Sequence, residues 1–181
     1  MFNHEVIDFN VEKFHLDSHD GYSIPSEIGM GLRRTDNKQT LAIVSDAYEP
    51  VQYQDIVSSV ESALDLSGLD MTDAIFEINV YDNGAKLELR AKFPAHEMFL
   101  STTSNRSDSV IPEFIFRTSH NRTWANNGMM GLWRGFCWNT LVSGDKLAYV
   151  YGRHTKNFHI PAFAAKIKNA GQYISGDGLN Q

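Results

Sequence analysis

Eight lysines and arginines fall between residues 112 and 168, interleaved with ten aromatic side chains. That combination suits a single strand of nucleic acid, because cations follow the phosphates while aromatic faces stack the bases, at about 1–3 kcal/mol per base. The side chains singled out for this chemistry are Arg117, Arg122, Trp124, Arg134, Arg153 and Lys156. Taken one at a time, most aromatics of the segment (Phe114, Phe116, Trp133, Phe136, Trp138, Tyr149, Tyr151, Phe158 and Phe163) fit a hydrophobic core better than a stacking platform. Trp124 is the exception, since Arg122, Asn126, Asn127 and Gly128 around it offer little apolar company.

Other reactive side chains point less clearly to chemistry. His15 with His19 and Asp20, and His154 with His159, have spacings of four and five, but the first set lies in a stretch without helical pattern and lacks the Glu of a metalloprotease motif. No metal and no cofactor are expected. Cys137 between Phe136 and Trp138 reads as a packed thiol, because free cysteine is among the most buried residue types. Arg33 and Arg34 are consecutive cations beside a turn, open to phosphate contact or to a local ion pair with Asp36, the latter favoured. There is no Walker-type loop, dinucleotide fingerprint or nucleophile elbow, so an enzyme is disfavoured.

The elements that must position these residues follow from pattern. Residues 29–34 and 39–45 read as strands around a Thr35-Asp36-Asn37-Lys38 turn. A helix follows Pro50, with Tyr53, Ile56, Val57, Val60, Ala63 and Leu64 forming one apolar stripe and Gly68 as its terminator. Asn83-Gly84 between two alternating runs marks a hairpin in which Val80 pairs with Leu87, Ile78 with Leu89 and Phe76 with Ala91. The same register sets Glu77 opposite Arg90. Further strands are expected at 111–120, 131–137 and 146–153, with a loop at 121–128 and a closing helix at 160–174. The fold expected is α+β: antiparallel hairpins forming a sheet packed by two main helices. The 181 residues suit a single domain, with an irregular segment at 1–26 and a mobile loop at 94–110.

Net charge is −6, but it is unevenly spread. Residues 1–72 carry 13 acidic and 4 basic side chains, whereas residues 112–168 carry 2 and 8. Such a split points to an anionic partner, to self-association of unlike faces, or to neutralisation within one fold. A lone cysteine, no signal-like N-terminus and no membrane-length apolar run make the cytoplasm the expected location, with no membrane partner.

Several stretches together resemble the family known as domain of unknown function 932. They are LRRTDNKQTLAIVSDAYEPVQYQD with its V-S-x-x-Y-x-P-V-Q signature, the 85–93 strand, FRTSHNRTWANNG, LWRGFCWNTLVSG and GRHTKNF. Asn121-Arg122-Thr123 stands where that family usually has an Asp-Gly-Ser type of turn. The resemblance implies a gene of a phage, prophage or plasmid, and no catalytic residue. Two functions are therefore expected in competition. One is a phage-type DNA-metabolism protein that binds single-stranded DNA, annealing or recombining it as a head-to-tail homo-oligomer. The other is a host-takeover or anti-restriction protein that engages a host protein through its acidic N-terminal face.

Overall fold

A computed structural model describes residues 1–100, 108–134, 146–152 and 160–175. The N-terminal part is more ordered than its composition suggests. A 3-10 turn at His4–Ile7, capped by the Asn3 side chain, leads into β1 (Val11–Phe14). β1 pairs antiparallel with β2 (Met30–Arg34), and β2 with β3 (Thr40–Val44), making a three-stranded sheet. The expectation of an irregular 1–26 segment is corrected here: four residues are enough for a strand when a partner supplies the ladder. Gly31 allows it, because a Cβ there would lie 2.3 Å from the Phe14 ring. The outer side of β1 is closed by a side chain. Val11 N–H donates to Gln52 Oε1 at 2.9 Å, and Gln52 Nε2 donates back to the Val11 carbonyl at 3.0 Å.

Gln52 also precedes the first turn of α1 (Tyr53–Asp65), which begins as expected just after Pro50. All six residues of the anticipated stripe are buried. Gly68, at φ +78°, takes the left-handed conformation that lets the chain leave the helix.

The second sheet holds β4 (Ile75–Tyr81), β5 (Lys86–Lys92), β6 (Met98–Leu100), β7 (Asp108–Ser119), β8 (Asn126–Arg134) and β9 (Lys146–Gly152). Its order is β4-β5-β7-β8-β9, with β6 paired to the start of β7, and every pairing is antiparallel. The β4–β5 register matches expectation: Phe76 faces Ala91, Glu77 faces Arg90, Ile78 faces Leu89 and Val80 faces Leu87. The turn is a four-residue loop, in which Asp82, Asn83 and Gly84 all have positive φ. Parts of the 94–110 stretch are regular: Pro94–His96 is a 3-10 turn, and β6 and the first residues of β7 pair with each other. β8 begins at Asn126, inside the stretch expected as loop, because Asn127 and Gly128 are held by pairing on both sides, and Asn126 by pairing with Gly152, despite poor strand propensity.

α2 (Ile160–Ser175) packs against α1, β8 and β9, with Ile167 buried and Lys166 exposed. The fold class is thus the α+β arrangement expected, with two antiparallel sheets where one was anticipated. One cluster of buried residues runs from Phe2 to Ile167 and joins α1 to Leu87, Leu89, Phe114, Phe116 and Met130. Burying each large apolar side chain contributes about 1.5–3 kcal/mol.

Candidate nucleic-acid interface

Side chains alternate across a strand, so the core residues of the large sheet assign its other face by elimination. Leu87, Leu89 and Ala91 pair with Thr118, Phe116 and Phe114 on the inner face. Lys86, Glu88, Arg90 and Lys92 therefore share the outer face with Glu113, Ile115, Arg117 and Ser119. The ladder extends this face in both directions. Asn79, Glu88, Arg117, Asn127 and Tyr151 form one row across five strands. Glu77, Arg90, Ile115, Met129 and Tyr149 form the next. Tyr81, Tyr149 and Tyr151 are all exposed, at 42%, 51% and 53%.

Trp124 sits at one corner of this face. Its indole meets the Tyr81 ring edge-on at 5.8 Å, with Lys86 Nζ at 5.3 Å and the Arg117 guanidinium at 5.8 Å from its centroid. Local chemistry fixes the corner. The Ser119 hydroxyl accepts from Trp124 N–H at 2.8 Å and donates to the Trp124 carbonyl at 2.9 Å. Asn121 Oδ1 accepts from Thr123 N–H, and Arg122 takes the left-handed region at φ +63°.

Electrostatics on the face are partly self-neutralised. Glu88 is buried, and it accepts from Arg117 Nε at 2.6 Å and Arg90 Nε at 2.9 Å. Burial pushes its carboxyl up, but the hydrogen bonds from Arg90 and Arg117 together hold it below the ordinary range. Glu113 is also buried and pushed the other way by desolvation, with Arg90 3.6 Å from one carboxylate oxygen. Neither glutamate stood out in the sequence, since their pairing becomes visible only once β5 is set against β7. Lys86 bonds Asp82 at 2.7 Å. Arg117 remains about half exposed at its side chain despite its partner.

Directly beneath the corner, on the inner side, lies a buried polar knot. The His120 ring stacks on Tyr53 at 4.3 Å, and Thr118 Oγ1 donates to Asn126 Oδ1 at 2.6 Å. Tyr48, also buried there, has its hydroxyl pushed up to about 12 by desolvation, with the nearby Arg122 charge opposing. The knot joins the Tyr48–Tyr53 stretch to the His120–Asn126 turn, two of the segments that carried the family resemblance.

Of the six side chains singled out from the sequence, Arg117 and Trp124 come together, and Arg122 lies in the same turn, exposed and close enough to influence Tyr48. Arg134 ends β8 opposite Val110, at the far end of the strand from Asn126. Arg153 and Lys156 lie outside the described residues, as do Cys137, His154 and His159. Tyr81 and Lys86, which complete the corner, were missed because they belong to the preceding hairpin. Arg33 and Arg34 make local ion pairs: Arg33 Nε with Glu12 at 2.8 Å, and Arg34 with both carboxylate oxygens of Asp36. Among the described residues no group of three His, Cys, Asp or Glu is gathered as for a metal ion. Nor is any described helix long and apolar enough to cross a membrane.

No curated protein and no solved structure matches this chain. A family model matches residues 40–173, from β3 to within α2, and so takes in both the corner and the knot. The chain belongs to the family described as a domain of unknown function (DUF932).

Proposed function

We propose that this protein binds single-stranded DNA across the outer face of its large sheet and acts in phage-type DNA metabolism, annealing or recombining strands as an oligomer. The observation that carries this reading is the grouping of Trp124, Tyr81, Lys86 and Arg117 on a face that also exposes Tyr149 and Tyr151. Aromatic faces accept any base, and the cations nearby attract phosphate without reading sequence. Between β4 and β9 lie four inter-strand gaps, roughly 19 Å, enough for a few nucleotides. Photocrosslinking of oligothymidine to the full chain, followed by peptide mapping, tests the location. Crosslinks in peptides containing Tyr81, Trp124, Tyr149 or Tyr151 support the reading; crosslinks confined to other peptides contradict it.

A second reading is favoured by one observation. All four cations of residues 1–72 are engaged locally: Arg33 and Lys38 with Glu12, Arg34 with Asp36, and Lys13 with the Asp46 carbonyl. Most of the other carboxylates of that half are exposed, as suits an inhibitor that engages a basic host protein. Such a protein would give no crosslinks to DNA and would be retained on a basic host enzyme instead.

A further inference from the structure

β4 ends its sheet, and among the described residues no strand lies beyond it. The phase of its ladder can be derived. Phe93 N–H donates to the Pro112 carbonyl at 3.0 Å and His120 N–H to the Ala85 carbonyl at 2.8 Å. Odd-numbered residues of β5 therefore turn their main chain toward β7, and Lys86, Glu88, Arg90 and Lys92 turn theirs toward β4. Their partners are Tyr81, Asn79, Glu77 and Ile75. The N–H and C=O groups of Phe76, Ile78 and Val80 consequently face away from the sheet.

Natural sheets blunt such edges with proline, lysine, bulges or very short strands. β1 has the Gln52 amide; β4 has no proline, lysine or bulge, and the His4–Ile7 turn beside it is reached through Phe2, whose ring meets that of Phe76, a residue of the inner face, edge-on at 5.0 Å. β4 is seven residues long, its pairing with β5 is free of bulges, and its sequence IFEINVY is strongly β-prone. Ile75 and Tyr81 at its two ends are exposed, at 48% and 42%.

We infer that β4 pairs antiparallel with β4 of a second copy of this chain, about a two-fold axis through Ile78. The strand is self-complementary in that register. Ile78 meets Ile78 of the second copy, Phe76 meets Val80, and the exposed Ile75 meets the exposed Tyr81. Glu77 faces Asn79, so no like charges oppose each other. Moving the axis to residue 77 would set Glu77 against itself, and moving it to residue 79 would leave Ile75 without a partner. The outward main-chain groups of Phe76, Ile78 and Val80 then form three reciprocal pairs, the isologous contact a two-fold dimer requires. The axis runs perpendicular to the sheet, so the two outer faces lie on the same side and join. That last consequence bears on DNA binding only if the proposed function holds; the pairing itself does not depend on it.

Sedimentation equilibrium of the full chain at physiological ionic strength tests the pairing, with far-UV circular dichroism to confirm folding. A monomer–dimer equilibrium is expected. Ile78→Pro removes a donor and its ring obstructs the second copy, so that variant is expected to be monomeric with an unchanged spectrum. Asn79→Lys sets an ammonium against Glu77 of the second copy on both sides of the axis, tightening the dimer roughly three- to ten-fold. Asp65→Asn changes net charge equally and leaves the constant where it was. A wild-type chain that stays monomeric across the concentration range overturns the inference. So does a dimer whose constant is the same in Asn79→Lys as in wild type, a comparison that decides the matter even if Ile78→Pro fails to fold.

Discussion

Arg122 shows how a residue's conformation and its charge can be separated. At φ +63° an arginine carries a strain that glycine would not, so a glycine would suit the second position of this turn. Arg122→Gly is expected to leave the melting temperature unchanged or raise it slightly, by up to about 1 kcal/mol of stability, while weakening oligonucleotide binding. A large loss of stability would mean that Arg122 is a structural anchor. The two buried glutamates make opposite contributions to pH dependence. Glu88 ionises more readily folded than unfolded, so its stabilisation is present above the unfolded carboxylate range and is lost as pH falls through its folded value. Glu113 holds its proton more tightly when folded, so its contribution declines as pH rises above the unfolded range. Glu113→Gln should therefore raise the melting temperature at neutral pH by about a few degrees, because Arg90 keeps Glu88 as a partner. An unchanged or lower melting temperature would show that the Glu113 charge is needed.

Among the elements, the Asn83-Gly84 hairpin was legible to the residue pair, because a turn signal and two alternating runs agree on one register. The stripe of α1 was equally plain, as an apolar period of 3.6 has one buried solution. β1 and the start of β8 were hidden, since Val11–Phe14 is short and Asn126-Asn127-Gly128 reads as loop until both neighbours pair with it. Tertiary context overrode propensity there. Gly84 is a position where the turn and the packing make the same demand. It has φ +103°, and a Cβ would lie 2.9 Å from the Phe9 ring and 3.2 Å from Arg34. Gly84→Val is expected to cost about 2–4 kcal/mol, read as a lower denaturation midpoint with an unchanged slope. A shift below about 0.5 kcal/mol would mean that the loop relaxes freely.

Across the molecule, the acidic part of the chain builds the three-stranded sheet and α1, and the basic part contributes to the large sheet and α2. Three of the four cations of the N-terminal part are in local ion pairs and Lys13 bonds the Asp46 carbonyl, while the basic-aromatic segment supplies most of β7, all of β8 and the turn between them. The candidate site is half legible in the sequence. Trp124 and Arg117 could be picked by residue type, whereas Tyr81, Lys86 and Glu88 join them only through the order β4-β5-β7, which no local pattern encodes. The proposed function requires this corner to hold a single strand. Its most direct test is fluorescence anisotropy of a labelled single-stranded oligonucleotide, titrated with wild type and Trp124→Ala at low and high salt. Affinity should fall steeply with salt as phosphates release counterions, and Trp124→Ala should weaken binding by about five- to one-hundred-fold. No binding at low salt, or equal binding by the two proteins, would contradict the proposed function.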